Sequence, residues 1–173
     1  MIYYSAVARA RPEETKVVCE TGFNAGHSAV TWLFSNPNIT LHSYDLGNNP
    51  WSDMCVGFVK YIYGDRFHYH KGNSRDMLFA NKPPFSEGVR CDLLSVDGDH
   101  SDPYSDLWLG SDVSRKGALV LVDDFGDQNR NIIKDWGRVV NGKGIVAELE
   151  THKNFKWIEK GEYHKGWALG EFI

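Results

Sequence analysis

The chain has 173 residues, 42% of them apolar, and a formal net charge of −4. That is enough for one domain with a full core, over residues 1–173. The acidic balance argues against a nucleic-acid partner, which selects a basic face. No signal peptide, apolar run of membrane-spanning length or lipidation motif is visible, so the composition predicts a soluble, cytoplasmic domain with no membrane partner.

Strand-like and helix-like segments alternate along the chain. Lys16–Thr21 reads as the first strand and Gly26–Phe34 as the first helix. A turn at Asn36-Pro37-Asn38 leads into a second strand, Ile39–Asp45, and Pro50 opens a helix reaching about Tyr63. Phe67–Lys71 is a third strand and Ser74–Phe79 a short helix, followed by a Lys82-Pro83-Pro84 loop. Asp92–Val96 is the fourth strand, Pro103–Ser114 a helix and Ala118–Asp123 the fifth strand. Asn129–Val140 reads as a helix and Ile145–Glu150 as a sixth strand, and Tyr163 to Phe172 as a final strand after a hairpin around Gly161. Val17-Val18-Cys19 and Ala118 to Val122 are apolar without alternation, as in strands buried on both faces. The pattern predicts an α/β fold, Rossmann-like and doubly wound, with ligands beyond the carboxyl ends of the strands.

Three cysteines, Cys19, Cys55 and Cys91, leave an odd count without metal-finger spacing. Cys19 and Cys91 lie in apolar strands and read as small buried hydrophobes in a reducing compartment.

The segment Val17 to Ser28 carries the strongest functional signal. An apolar strand ends in Glu20, turns through Gly22 and Gly26, and enters a helix at His27-Ser28. The free N–H groups of such a helix start favour an anionic ligand group, and the acid beside them favours a cationic or hydroxyl-bearing one. The dinucleotide fingerprint and the Gly-Lys-Ser/Thr phosphate loop are both absent, which counts against nicotinamide enzymes and nucleotide triphosphatases.

The other strand ends repeat the acidic theme. Asp45 closes the second strand, Asp97 the fourth, and Asp123-Asp124 the fifth. Carboxylates gathered at one edge call for a compensating positive charge. Mg²⁺ or a similar divalent cation suits them, held by Asp97, Asp123 and Asp124. The competing reading of each acid is a turn residue or helix cap. Asp45 is placed to take a ribose diol. Ser28 can support a carboxylate, and Asn73 and Ser74 either border a base or cap the short helix. Asp99 and His100 follow Asp97 as candidate general bases: the imidazole already has the right pKa range, and Asp99 could serve if its pKa were raised. His42, His68 and His70 read as sheet or surface residues. Tyr104, Trp108, Trp136 and Trp157 read as core rather than pocket lining.

The run Glu20-Thr-Gly-Phe-Asn-Ala-Gly-His-Ser-Ala29 resembles the first motif of class I S-adenosylmethionine-dependent methyltransferases. The branch it resembles is that of the metal-dependent O-methyltransferases, of catechol and caffeoyl-coenzyme A type and of natural-product sugar type. Val96–His100 and Val122–Asp124 are similar to that branch's metal segments. The resemblance spans roughly Lys16 to Asp127. It implies a mostly parallel seven-stranded sheet with an antiparallel C-terminal strand. It implies S-adenosylmethionine held by Glu20, Gly22, Gly26, Ser28, Asp45, Asn73, Ser74 and Asp97, with Mg²⁺ on Asp97, Asp123 and Asp124. The implied activity is methyl transfer to a hydroxyl of a small phenol or sugar. The catechol enzymes' lysine base has no counterpart, since Asp99 and His100 stand there. About fifteen residues precede Lys16, which predicts a substrate site that is open or completed by another subunit. Two alternatives are a non-catalytic module that binds the same cofactor and a related fold turned to another metal chemistry. Self-association stays open.

Overall fold

The computed structural model describes residues 2–99, 103–123, 139–140, 143–144, 155–163 and 165–173. A helix, α1 (Ile2–Ala10), precedes the first strand, β1 (Val17–Thr21). Then come α2 (His27–Ser35), β2 (Thr40–Asp45), α3 (Ser52–Tyr63), β3 (Phe67–Lys71) and the single-turn α4 (Ser74–Met77). After these follow β4 (Cys91–Val96), α5 (Pro103–Val113) and β5 (Ser114–Val122). Two short strands, β6 (Val139–Val140) and β7 (Lys143–Gly144), pair with each other in a separate two-stranded sheet. The strands β8 (Phe155–Tyr163) and β9 (Lys165–Phe172) end the chain.

The main sheet has seven strands in the order β3-β2-β1-β4-β5-β9-β8. The first five are parallel, whereas β9 runs antiparallel to both β5 and β8. Strands buried on both faces explain the unbroken apolar runs. Val18, Leu93 and Leu121 point into a core shared with Trp32, Leu33 and Val59 of α2 and α3. Their neighbours Cys19, Leu94 and Val120 point the other way, into a core with Leu78, Phe85, Leu107 and Val113. The expected doubly wound fold with an antiparallel C-terminal strand is therefore observed.

Four expectations change. Cys19 and Cys91 form a disulfide, their Cα atoms 5.7 Å apart, leaving Cys55 free. Cysteines separated by 72 residues meet because β1 and β4 are neighbours, which local composition does not reveal. The pairing also removes the support that free thiols lent to a reducing compartment. Second, Tyr163 pairs with Lys165, so the C-terminal hairpin does not turn at Gly161. Gly161 is a strand residue opposite Trp167, where a Cβ would fall 2.7 Å from the indole ring. Third, β5 begins at Ser114, earlier than expected, and Ser114 pairs with Cys91. Fourth, Val139 and Val140, read as the end of a helix, are extended. The rest of that helix and the predicted strand Ile145–Glu150 lie outside the described residues; the outer strand is formed by Phe155–Tyr163. No helix among the described residues is long and apolar enough to cross a membrane.

Candidate active site

The chain winds outward from β1 in one direction through β2 and β3, and from β4 in the other through β5. Doubly wound sheets bind ligands at this reversal point, beyond the carboxyl ends of the central strands. Each strand end there is tied to its neighbour. Gly22 N–H donates to Tyr44 O at 2.9 Å, Asp97 N–H to Thr21 O at 3.0 Å, and Asp123 N–H to Val96 O at 3.0 Å.

Gly22 has φ +88°, and a Cβ would lie 2.0 Å from the Asp97 carbonyl oxygen. The glycine is needed both for its left-handed backbone and for close approach of the loop to the Asp97–Gly98 peptide. Gly26 is the N-cap of α2, at φ +79°, and no side chain caps that helix start. The first N–H groups of α2 are thus left to an anionic partner.

Glu20 lies fully buried beneath this loop. Its Oε2 accepts from the Ser43 hydroxyl at 2.8 Å, while Oε1 has no hydrogen-bond partner. Burial pushes its carboxyl up to about 7; the Ser28 and Ser43 hydroxyls oppose that shift and the Asp45 charge reinforces it. Asp45 braces the loop from the second strand. Its Oδ2 accepts from Phe23 N–H at 2.8 Å and Asn24 N–H at 3.0 Å, and its Oδ1 from Gly47 N–H at 2.6 Å. A carboxylate has about four acceptor positions, so three of Asp45's are spent on backbone and about one remains for a ligand hydroxyl.

Asn73 and Ser74 are also turned to the protein. Asn73 caps α4, its side chain accepting from Arg75 N–H at 3.0 Å. Ser74 donates to Asp106 Oδ1 at 2.5 Å. Asp106, which sequence reasoning missed, is fully buried in α5, and burial raises its carboxyl. Its Oδ2 has no hydrogen-bond partner, and a Cβ on Gly98 would approach it to 2.8 Å. The only signal was an acid within an otherwise apolar stretch of helix, Asp106-Leu107-Trp108-Leu109.

The acids near β4 and β5 are engaged as well. Asp99 forms an ion pair with Arg75. Asp123 Oδ1 accepts from Tyr3 Oη at 2.6 Å and Oδ2 from Tyr4 Oη at 3.2 Å. Both tyrosines come from α1, an element absent from the sequence reading. Burial first, then the charges of Asp97 and Asp123, hold the Tyr4 hydroxyl well above its ordinary pKa. Tyr3 stacks on Trp167 of β9 and Tyr4 packs against Trp32 of α2, so α1 is anchored across the strand ends. His100 and Asp124 lie outside the described residues.

The described residues have the chemistry to hold an amino-acid-bearing nucleoside cofactor. The uncapped start of α2 suits a carboxylate, the orphaned Glu20 Oε1 suits a cationic donor, and Asp45 keeps room for one hydroxyl. Among the described residues no three His, Cys, Asp or Glu side chains group to hold a cation. The expected histidine and aromatic roles agree with their positions. His42, His68 and His70 stack in β2 and β3, and Trp108 and Trp157 pack against the core. Tyr104's side chain and Trp136 are outside the described set.

No family model matches the sequence, and no curated protein matches it either. Solved structures do match, over nearly the whole chain. One is the O-methyltransferase TomG of Streptomyces achromogenes, involved in tomaymycin synthesis and solved in complex with S-adenosylmethionine. It is 16% identical with a TM-score of 0.75, over 99% of this chain and 80% of that one. A second is an O-methyltransferase from Bacillus cereus in complex with S-adenosylhomocysteine, 11% identical with a TM-score of 0.73, over 99% and 81%. A third is the S-adenosylhomocysteine-bound methyltransferase PaMTH1 of Podospora anserina, 16% identical with a TM-score of 0.73, over 99% and 76%. The chain has the class I methyltransferase fold. In it, β1, its glycine loop and α2 occupy the reversal point of the sheet, where the geometry above leaves an anion-ready helix start.

Proposed function

We propose that this protein is an S-adenosylmethionine-dependent O-methyltransferase acting on a hydroxyl of a small molecule. One observation carries the reading: at the reversal point of a methyltransferase fold, an uncapped helix start lies beside Glu20 and Asp45 on a loop whose Gly22 leaves no room for a side chain. The α2 N-terminus and Ser28 would hold the cofactor's carboxylate, and Glu20 would shape the loop from beneath. Asp45 would fix the loop and take one ribose hydroxyl, and Asn73, Ser74 and Asp97 would border the remainder. When bound, the sulfonium supplies an electrophilic methyl group. The protein's share is to align the acceptor oxygen and remove its proton. His100 is our candidate for that base, because Asp99 is already paired with Arg75.

Magnesium assistance through Asp97, Asp123 and Asp124 belongs to the same proposal as its finer part. Asp97 and Asp123 end neighbouring strands, which supports it. The two tyrosines on Asp123 do not. Those tyrosines favour a second reading, a module that binds the cofactor without turning over.

Calorimetry with S-adenosylhomocysteine tests the cofactor directly. Saturable 1:1 binding, absent for NAD, is the expected result, and tight NAD binding without it would defeat the proposal. Transfer of a labelled methyl group to a panel of phenols and sugars separates the enzyme from the silent module.

A further inference from the structure

α3 is built for more contacts than its own chain makes. At about 100° per residue, Ser52, Cys55, Val56, Val59 and Tyr63 share the face turned to the sheet. Met54, Phe58, Tyr61 and Ile62 continue that apolar surface onto the outer side. Only Asp53, Gly57 and Lys60 share the remaining arc. A helix apolar round roughly two-thirds of its circumference is a helix buried on two sides. Yet Tyr61 is 88% exposed and Met54 74%, with Trp51 at the helix start also open and Phe34 of neighbouring α2 76% exposed.

Gly57 is the second observation. It stands at the middle of α3, and a Cβ there would meet nothing within 4 Å. Glycine is the poorest helix former after proline, and no contact among the described residues calls for it. A bare position in mid-helix lets another backbone approach closely.

We propose that the outer face of α3 is the contact surface of a symmetric homodimer, two copies of α3 crossing antiparallel at Gly57. A two-fold axis there sets Phe58 on the partner's Gly57 and Met54 on the partner's Tyr61. Such self-complementary pairing is what an isologous interface requires. It also opposes the two helix dipoles. An apolar cavity of about 540 Å³ between α2 and α3, lined by Val30, Met54 and Phe58 among others, opens beside this face and offers room for a protruding side chain. At about 150–250 Å² per large side chain, the exposed parts of Phe34, Trp51, Met54, Phe58, Tyr61 and Ile62 leave roughly 800 Å² uncovered. That equals the share each partner contributes to a standard stable interface, about 800 Å².

Sedimentation velocity and light scattering on the full chain test this. At about 100 µM the wild type is expected at twice the 19.6 kDa chain mass. Phe58→Glu, at a side chain exposed in the subunit, should return the single-chain mass with an unchanged far-ultraviolet spectrum. Gly57→Leu, which fills the crossing point, should weaken association at least about tenfold. A monomeric wild type overturns the proposal, whether the face then proves free or the chain co-sediments with neutral phosphatidylcholine vesicles. A dimer untouched by both substitutions overturns it equally.

Discussion

At the scale of single residues, the site is governed by carboxylates whose surroundings differ sharply. Asp45 collects three backbone N–H groups, so its removal opens the glycine loop as well as losing a ligand contact. Asp45→Ala should weaken S-adenosylhomocysteine binding by about 1–3 kcal/mol, the scale of charged hydrogen bonds lost. Calorimetry measures this, and unchanged affinity would assign Asp45 to the loop alone. Glu20 is the opposite case, a buried acid held up to about 7 by desolvation. Its unfolded form ionises near 4.5, so between those values the folded chain keeps a proton that the unfolded chain has lost. Stability from this group is full below about 4.5 and disappears as pH rises through about 7. The difference amounts to at most roughly 3 kcal/mol. Glu20→Gln should abolish that part of the pH dependence, so thermal melts from pH 5 to 8 should fall for wild type relative to the variant. Parallel curves would mean that Glu20 is ionised in the folded protein throughout.

At the scale of elements, two features set the behaviour of the site's walls. Gly22 ties β1 to β4 by near-contact of backbones, and its φ lies in the left-handed region. Gly22→Ala should cost roughly 2–4 kcal/mol through strain and a clash that backbone cannot relieve cheaply. Denaturant unfolding checks it; a loss under half a kilocalorie, about the usual surface effect, would mean the loop can move away from Asp97. The β2–β3 edge holds three imidazoles on one face. His42 stacks on His68 at 4.6 Å between ring centroids and approaches His70 nitrogen to nitrogen at 3.1 Å. Burial, with His68 and His70 adding to it, lowers His42 to about 4. The unfolded imidazole takes a proton near 6.5 and the folded one does not, so stability falls as pH drops from 6.5 towards 4. This is opposite in sign to the Glu20 effect. His42→Gln should flatten the acid limb by about 1–3 kcal/mol, read as a smaller loss of melting temperature between pH 6.5 and 4.5.

At the scale of the whole molecule, the fold gathers the ends of β1, β2, β4 and β5 into one edge and lays α1 across it. A cofactor bound there stabilises only the folded state. S-adenosylhomocysteine at about a hundred times its dissociation constant should add about 2.7 kcal/mol of stability, visible as a raised melting temperature that NAD does not reproduce. Binding should persist in excess chelator, because the cofactor's carboxylate is assigned to the start of α2 and not to a cation. Turnover in chelator tests the magnesium part: full activity would remove it, and loss restored by Mg²⁺ would support it.

The sequence alone was enough for the alternation from β1 to β5, because fully buried strands and glycine loops leave local patterns; α1 and the extended Val139–Val140 escaped it. Val17 to Ser28 shows the turn, the acid and the helix start within twelve residues, and the strand-end acids follow apolar runs directly. What local pattern could not carry is which atoms each acid faces. Asp45 meeting three N–H groups, Asp123 meeting Tyr3 and Tyr4, Asp99 meeting Arg75 and Ser74 meeting Asp106 are all contacts between segments distant in the chain. The Cys19–Cys91 disulfide is of the same kind. A side chain's type sets what it can bond, and its neighbours in sequence set its secondary structure. Its partners are set by sheet order and by packing across the core, which only the folded chain decides.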